Sequence, residues 1–246
     1  MDNAVYAATT GLLNRQRALD VTGNNLANAS TSGFKRDTLI TTTFGEYVAY
    51  RMINSTQDDE IGTTTHGCIA DELYTDYSQG TIEGTGRSLD YAILGDGFFS
   101  IQAANGRNGL TRDGSFQVNA LGYLVTSAGD YVLGRNGRLF MGPGEVLISE
   151  GGEVSCAGRY VDTLQMVVPN NMDALNKREN NTVNNPGGNA NFTGRILSGH
   201  LERSNVDMIE EMSDMMQASR AFQSCGQALR ILDLINQKTV NEIGRV

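Results

Sequence analysis

The sequence predicts an α+β fold in which a heptad-patterned helix at each end of the chain flanks a mainly antiparallel β domain. Apolar residues recur every seven positions at both termini, and short apolar segments separated by Gly-containing turns fill the middle. Glycine supplies 29 of the 246 residues and proline only 3, which excludes collagen-like and Pro-Gly low-complexity chains and points to many tight turns.

The first element follows from Val5, Leu12, Leu19 and Leu26, which lie seven apart, with Met1 and Ala8 between the lines. Gly11, Gly23, Asn24, Asn25 and Asn28 lower the helical propensity of this stretch, so in isolation it is marginal. The run Ser30-Thr31-Ser32-Gly33 supplies the turn chemistry that ends it. Residues 34–77, rich in Thr and carrying Phe44, Tyr47, Val48, Tyr50, Ile53 and Ile69, read as an extended β linking segment too polar for a core of its own.

Residues 78–203 form the predicted β-rich outer domain. Its strand-length segments are Tyr91–Leu94, Phe98–Ile101, Ser115–Val118, Tyr123–Val125 and Leu164–Val168. Between them stand Asp96-Gly97, Asn105-Gly106, Asp113-Gly114 and Asn136-Gly137, which are turn pairs. The Asn-rich residues 170–191 read as a surface loop.

The last element runs from Asn205 to about Ile243. Met208, Met215, Phe222 and Leu229 share one heptad line, Ala218, Cys225 and Leu232 a second, and Ala221, Ala228 and Ile235 lie beside them. Ser204 or Asn205 is the expected cap, and Asp207, Glu210 and Glu211 place negative charge where the first backbone N–H groups lack partners. Such a stripe must be buried, and the comparable stripe lies at the other terminus. The sequence therefore assigns 1–33 and 204–246 to one terminal helical domain.

Charge and motifs narrow the function. With 19 basic and 28 acidic residues the net charge is −9, against the requirement of duplex nucleic acid for clustered Lys and Arg. No apolar run reaches the ~18 residues of a membrane helix, so no membrane insertion is expected. The start Met1-Asp2-Asn3 has neither a basic region nor an apolar run, so no Sec-type signal peptide is expected, and if the chain leaves the cytoplasm it does so by another route. Cys68, Cys156 and Cys225 have neither zinc-site nor disulfide-framework spacing.

Catalytic and metal patterns are equally thin. No phosphate loop or HExxH motif occurs, and His66 with Cys68 gives an incomplete metal shell. Ser115 lacks a GxSxG frame. Asp58-Asp59-Glu60 and Asp71-Glu72 read as solvated acidic turns before they read as a glycosidase pair. Asp207, Glu210, Glu211 and Asp214 could face a Ca²⁺, yet complementarity with the helix N-terminus already accounts for the first three. No enzyme and no cofactor are expected.

Four stretches carry a resemblance. Asn24-Asn25-Leu26-Ala27-Asn28-Ala29-Ser30-Thr31-Ser32-Gly33-Phe34-Lys35-Arg36 resembles the N-terminal signature of the flagellar rod and hook proteins. Leu89–Phe99 and Leu110-Thr111-Arg112-Asp113-Gly114-Ser115-Phe116 resemble that family's LDxAIxGDGFF and YTRDGSF motifs, with Leu110 in place of the usual Tyr. Gly199-His200-Leu201-Glu202-Arg203-Ser204-Asn205-Val206-Asp207 is similar to its GxLExSNVD entry to the last helix, and Arg220-Ala221-Phe222 to its RAF step.

The resemblance implies a non-enzymatic basal-body rod subunit, of the proximal type first and the distal type second. It implies export by the flagellar type III machinery, assembly with other rod subunits and with copies of itself, and a place in the periplasm-spanning rod. The expected assembly surface comprises Val5, Leu12, Leu19, Leu26, Met208, Met215, Ala218, Phe222, Cys225, Leu229 and Leu232. Met208, Met212, Met215 and Met216 would give it an adaptable apolar stripe. A secreted β-domain binding module or peptidoglycan hydrolase is the rival from another class.

Overall fold

A computed structural model of the chain describes residues 2–43, 46–51, 59–65, 67–142, 144, 146–178, 181–190 and 192–243. It divides into two compact units. Met1–Leu26, Asp37–Tyr74 and Asp207–Val246 form a helical unit, and Ala27–Arg36 with Thr75–Val206 form a β unit. The element types follow the predicted α+β order: an N-terminal helix, a mainly antiparallel β domain and a C-terminal helix.

The helical unit contains α1 (Asp2–Ala27), β1 (Asp37–Thr43), β2 (Glu46–Arg51), β3 (Asp59–Thr65), β4 (Cys68–Thr75) and α2 (Met208–Ile243). At 1.5 Å per residue, the 26 residues of α1 span about 39 Å and the 36 of α2 about 54 Å. The two helices run antiparallel: Gly11 faces Cys225, Gly226 faces Leu12, and Gly23 faces Met215. β1 pairs with β4, and β2 with β3 in an antiparallel ribbon whose register slips at Ala49/Tyr50. Tyr47, Val48 and Tyr50 thus lie on a strand, whereas Phe44, Ile53 and His66 fall outside the described residues, and with His66 goes the His66–Cys68 pair.

The N-cap of α2 differs from expectation. Asp207 caps it, its Oδ1 accepting from the N–H groups of Ile209 at 2.8 Å and Glu210 at 3.3 Å. Ser204 instead accepts from Val206 N in the preceding turn, and Asn205 is engaged elsewhere in the β unit. The oxygens of Ser204 and Asn205 are taken by Val206 N and Arg36 N, which leaves the first-turn donors of the helix to Asp207.

In the β unit the strands are β5 (Ile82–Gly84), β6 (Tyr91–Leu94), β7 (Phe98–Gln102), β8 (Asn108–Thr111), β9 (Phe116–Val118), β10 (Leu124–Thr126), β11 (Tyr131–Gly134), β12 (Gly137–Arg138) and β13 (Val146–Ile148). They continue with β14 (Glu153–Cys156), β15 (Arg159–Thr163), β16 (Met166–Pro169), β17 (Asn176–Lys177), β18 (Thr182–Asn184), β19 (Asn189–Ala190), β20 (Arg195–Ser198) and β21 (His200–Glu202). The main sheet has the order β17-β18-β8-β7-β11-β10-β9, with β16 also joined to β7. Smaller pairings are β13-β14-β15, β20-β6 and β21-β5.

The double aromatic Phe98-Phe99 explains why β7 is central. Successive strand residues point to opposite faces, so Phe99 enters the main core with Tyr91, Phe116, Leu124 and Val132, while Phe98 enters a second cluster with Leu110, Val167, Leu175 and Val183. Phe99 meets Phe116 edge-on at 5.1 Å. The second cluster also revises the reading of residues 170–191 as a plain loop. Leu175 and Val183 are buried there, and β17 and β18 join the main sheet, because a few apolar side chains in an Asn-rich stretch are enough to cover the outer side of Phe98.

Candidate assembly interface

The chain presents two constructions that can serve assembly: a helix pair with two different apolar faces, and a buried ion cluster that organises the β unit where the chain enters and leaves it.

On α2 Glu211, Met215, Ala218, Phe222, Cys225, Leu229, Leu232, Asn236 and Thr239 are covered, alternating steps of four and three, and Asp214, Ser219, Ala221 and Gly226 are half-buried beside that line. That is a heptad seam with a broadened flank. Val5, Leu12, Leu19 and Leu26 are half-buried on α1. The expected seam residues Met215, Ala218, Phe222, Cys225, Leu229 and Leu232 thus lie on the covered side of α2, whereas Met208 is 43% exposed and Glu211 occupies the buried place in its turn.

A charged residue can sit there because Asn25 meets it. Both are 1% exposed, and Asn25 Nδ2 donates to Glu211 Oε2 at 3.2 Å. The same amide also reads the backbone of Asp37, donating to its carbonyl at 2.8 Å and accepting from its N–H at 3.0 Å. One side chain thereby ties together the end of α1, the start of β1 and the start of α2.

Opposite the seam lies a second apolar face. Ile209, Met212 and Met216 are exposed near the start of α2, and Ile231, Leu234 and Ile235 near its end, with Arg220, Gln223, Gln227 and Arg230 between them. On α1, Tyr6 and Leu13, one heptad apart, are also exposed. A lone helix pair gains nothing by exposing these side chains, and apolar patches of this kind mark contact sites.

The ion cluster lies in the β unit. Glu202 accepts from Lys35 Nζ at 2.6 Å, Arg112 Nε at 2.7 Å and Gly80 N at 2.9 Å, and all three charged side chains are buried. Lys35 also donates to Ser78 O at 2.6 Å; Arg112 donates to the carbonyls of Gly95, at 2.5 Å, and Gly97. Burial would push the Glu202 carboxyl up, but Arg112 and Lys35 outweigh it and hold the group below its ordinary value. Burial pushes the Lys35 ammonium down, with Glu202 pulling against it.

Around this cluster the backbone is inlaid. Gly33 N donates to Glu202 O at 2.8 Å, and Gly33 has φ +66° with a would-be methyl only 2.5 Å from Arg112 C, so no side chain fits. Phe34 is buried under the Lys177 ammonium, 3.8 Å from the ring centroid. Asn205 accepts from Arg36 N at 2.8 Å and donates to Asp76 O at 2.9 Å, while Asp76 N donates to Arg36 O at 2.8 Å.

The motif stretches therefore converge. Lys35 comes from the first, Gly95 and Gly97 from the second, Arg112 from the third and Glu202 from the fourth. Of the other motif residues, Gly33 and Asn25 are buried; Leu26, Asn28, Ser204, Asn205 and Val206 are half-buried; Asn24, Ala27, Thr31 and Asp207 are exposed. Sequence reasoning named Lys35, Arg112 and Glu202 only as members of their motifs and singled out none of them as a site. The available signal was a charged residue in each of three motifs, Lys35, Arg112 and Glu202, standing beside the charged neighbours Arg36, Asp113 and Arg203.

Among the described residues no cluster of His, Cys, Asp and Glu could hold a metal ion, and no helix is long and apolar enough to cross a membrane. Three family models match the chain: the flagellar basal body rod protein over residues 5–35, the flagellar hook protein FlgE/F/G D1 domain over 92–187, and the flagellar basal body rod FlgEFG protein C-terminal over 197–242. The flagellar basal-body rod protein FlgG of Bacillus subtilis is 34% identical, covering 98% of this chain and 99% of its own. FlgF of Caulobacter vibrioides is 31% identical over the whole of both chains, and FlgF of Salmonella typhimurium 31% identical over 91% of each. Similarity alone does not separate the FlgF from the FlgG type.

Proposed function

The chain belongs to the flagellar basal-body rod protein family, a structural subunit of the FlgF/FlgG type, and on that premise we propose that its two terminal helices are the surface through which it polymerises with neighbouring rod subunits and with copies of itself. The observation that carries this reading is the second apolar face of α2, which the seam within the chain leaves uncovered. Contacts between different faces of successive copies do not close on themselves, and so they build a helical tube able to transmit torque.

The finer steps belong to the same proposal. The chain leaves the cytoplasm through the flagellar type III apparatus and assembles in the periplasm. Helices rich in Gly and Asn that order fully only at the growing end would delay polymerisation until that point, since the interface offsets the entropy of ordering. The 31% identity to two FlgF proteins supports a proximal position in the rod, and the 34% identity to a FlgG supports the distal position as the second reading.

Quantitative peptide mass spectrometry of purified hook–basal bodies tests both levels. The chain as a minor rod component gives the proximal position, and its dominance over the other rod subunits gives the distal one. Its absence from intact basal bodies overturns the assembly reading.

A further inference from the structure

The chain has three Asn-Gly pairs, Asn105-Gly106, Asn108-Gly109 and Asn136-Gly137. Such a pair carries a reaction of its own. The glycine N, shielded by no side chain, attacks the asparagine Cγ and closes a five-membered ring. The new N–Cγ bond forms as the Cγ–Nδ2 bond breaks, the glycine N–H proton passes to a solvent base, and ammonia leaves. Water then opens the succinimide at either carbonyl to an aspartyl or an isoaspartyl residue, with no change of oxidation state. The first step needs Cγ held over the glycine N and a donor on Oδ1, where negative charge builds up.

Asn105 meets both requirements. It lies in the β7–β8 loop, closed by Ala103 N donating to Arg107 O and Gly106 N donating to Ala103 O, each at 2.9 Å. Gly106, at φ +81°, takes the left-handed place of such a three-residue loop. Asn105 is exposed, and its Oδ1 accepts from Arg107 N, two residues on, at 3.0 Å. That bond folds the side chain forward over the Gly106 peptide and sets an N–H on the oxygen that becomes negative. Among the described residues nothing accepts from Nδ2, the leaving nitrogen. One exposed turn bond, to Ala103 O, has to open before the Gly106 N reacts, and a methyl on Gly106 would meet no heavy atom within 4 Å, so the ring has room to close.

The other two pairs are held differently. Asn108 stands in β8 opposite Gln102, and its Oδ1 accepts from Gln102 Nε2 at 3.1 Å, which draws the side chain across the strand pair. Gly109 is paired with Ile101, and the alternation of the ladder from the Ala103–Arg107 bond puts Gly109 N in a strand hydrogen bond. Asn136 Nδ2 donates to Asp162 Oδ1 and Asn136 N to Asp162 Oδ2, each at 3.0 Å. The leaving nitrogen is clamped there, and the carboxylate opposes negative charge on the Asn136 oxygen.

The forward fold itself recurs. Asn119, Asn171 and Asn185 accept in the same way from Leu121 N, Asp173 N and Gly187 N, at 3.0, 3.0 and 2.9 Å. The residues after them are Ala120, Met172 and Pro186, whose side chains shield the N or, in proline, leave no N–H. Among the described residues Asn105 alone combines the fold with a following glycine. We propose that Asn105 is a site of spontaneous modification, converted through Gly106 into aspartyl and isoaspartyl forms while Asn108 and Asn136 are preserved. Each event adds a negative charge to the turn that joins β7 and β8, and the isoaspartyl form also lengthens the backbone of that turn by one carbon.

Ageing the full chain in mildly alkaline buffer made with oxygen-labelled water, in parallel with the same chain unfolded in guanidinium chloride, tests this. Trypsin cleaves after Arg107 and so separates Asn105 from Asn108, and mass spectrometry gives the rate of label uptake at each asparagine. In denaturant the three rates should be alike. In the native chain Asn105 should keep its unfolded rate, while Asn108 and Asn136 slow about tenfold or more. An isoaspartyl methyltransferase with a labelled methyl donor should mark the Asn105 peptide of the aged native chain. Asn105→Gln, whose longer side chain cannot close the five-membered ring, should lose that mark with the circular dichroism unchanged. Slowing of Asn105 in the native chain to the level of the other two would show that the loop protects it and overturn the proposal. So would earlier modification of Asn108 or Asn136 in the native chain, or a mark that persists in Asn105→Gln.

Discussion

Asn25 on α1 and Glu211 on α2, 186 positions apart in the chain, form a hydrogen bond inside the helix pair where each is 1% exposed. A polar pair in an otherwise apolar seam specifies register, because sliding either helix by one turn would leave a buried charge without its donor. Asn25→Ala should destabilise the helical unit by about 2 kcal/mol, since Asp37 loses two hydrogen bonds as well. Asn25→Asp, which sets a second carboxylate against Glu211, should cost more. Urea denaturation followed at the helical band would settle the order, and equal midpoints for the two variants would show that the pair does not set register.

The ion cluster makes a pH prediction. A carboxyl held low contributes stability that is complete above its unfolded value of about 4.5 and is lost as the pH falls through the folded value. The depressed Lys35 ammonium acts in the same sense, since the unfolded chain keeps its proton to higher pH and stability rises accordingly. Glu202→Gln leaves Lys35 and Arg112 buried without their counter-charge and should cost about 3–5 kcal/mol at neutral pH. That difference should shrink as the pH is lowered below 4.5; a gap that stayed constant down to pH 3 would assign the loss to packing instead.

Two glycines should respond in opposite directions. Gly23 lies in α1 with ordinary φ, and a methyl there would be 3.9 Å from Met215 Cε, so Gly23→Ala should stabilise by about 1 kcal/mol through helix propensity. Gly33 has φ +66° and no room beside Arg112, so Gly33→Ala should destabilise by about 2 kcal/mol or more. Thermal melts of the two variants side by side provide the check.

The two faces of α2 should separate folding from assembly. Leu229→Asp, in the seam, should lower the unfolding midpoint of the free chain. Met216→Asp, at a position 58% exposed, should leave that midpoint within about 0.5 kcal/mol of the parent and still abolish incorporation into basal bodies. Normal motility of the Met216→Asp strain would remove the outer face from the interface.

Both helices and the central strands were legible because each obeys a short-range period. Tyr91–Leu94 is the strand the sequence predicted, and the predicted Phe98–Ile101 lies within β7, Phe98–Gln102. The N-cap was misplaced because Ser204, Asn205 and Asp207 are all competent caps, and only the path of the incoming chain selects Asp207. The short strands within 170–191 were hidden because Leu175 and Val183 are isolated apolar residues whose burial depends on where Phe98 already lies.

By itself the sequence determined what periodicity and turn chemistry encode: two terminal heptad helices, a Gly-punctuated antiparallel middle, and the four motif stretches. Only the tertiary structure decided what those motifs do to one another. Lys35, Arg112 and Glu202 are up to 167 positions apart, and no local preference brings them together. They meet because burying any one of these charges alone is prohibitive, so the fold that covers the strands around them must deliver all three to the same place.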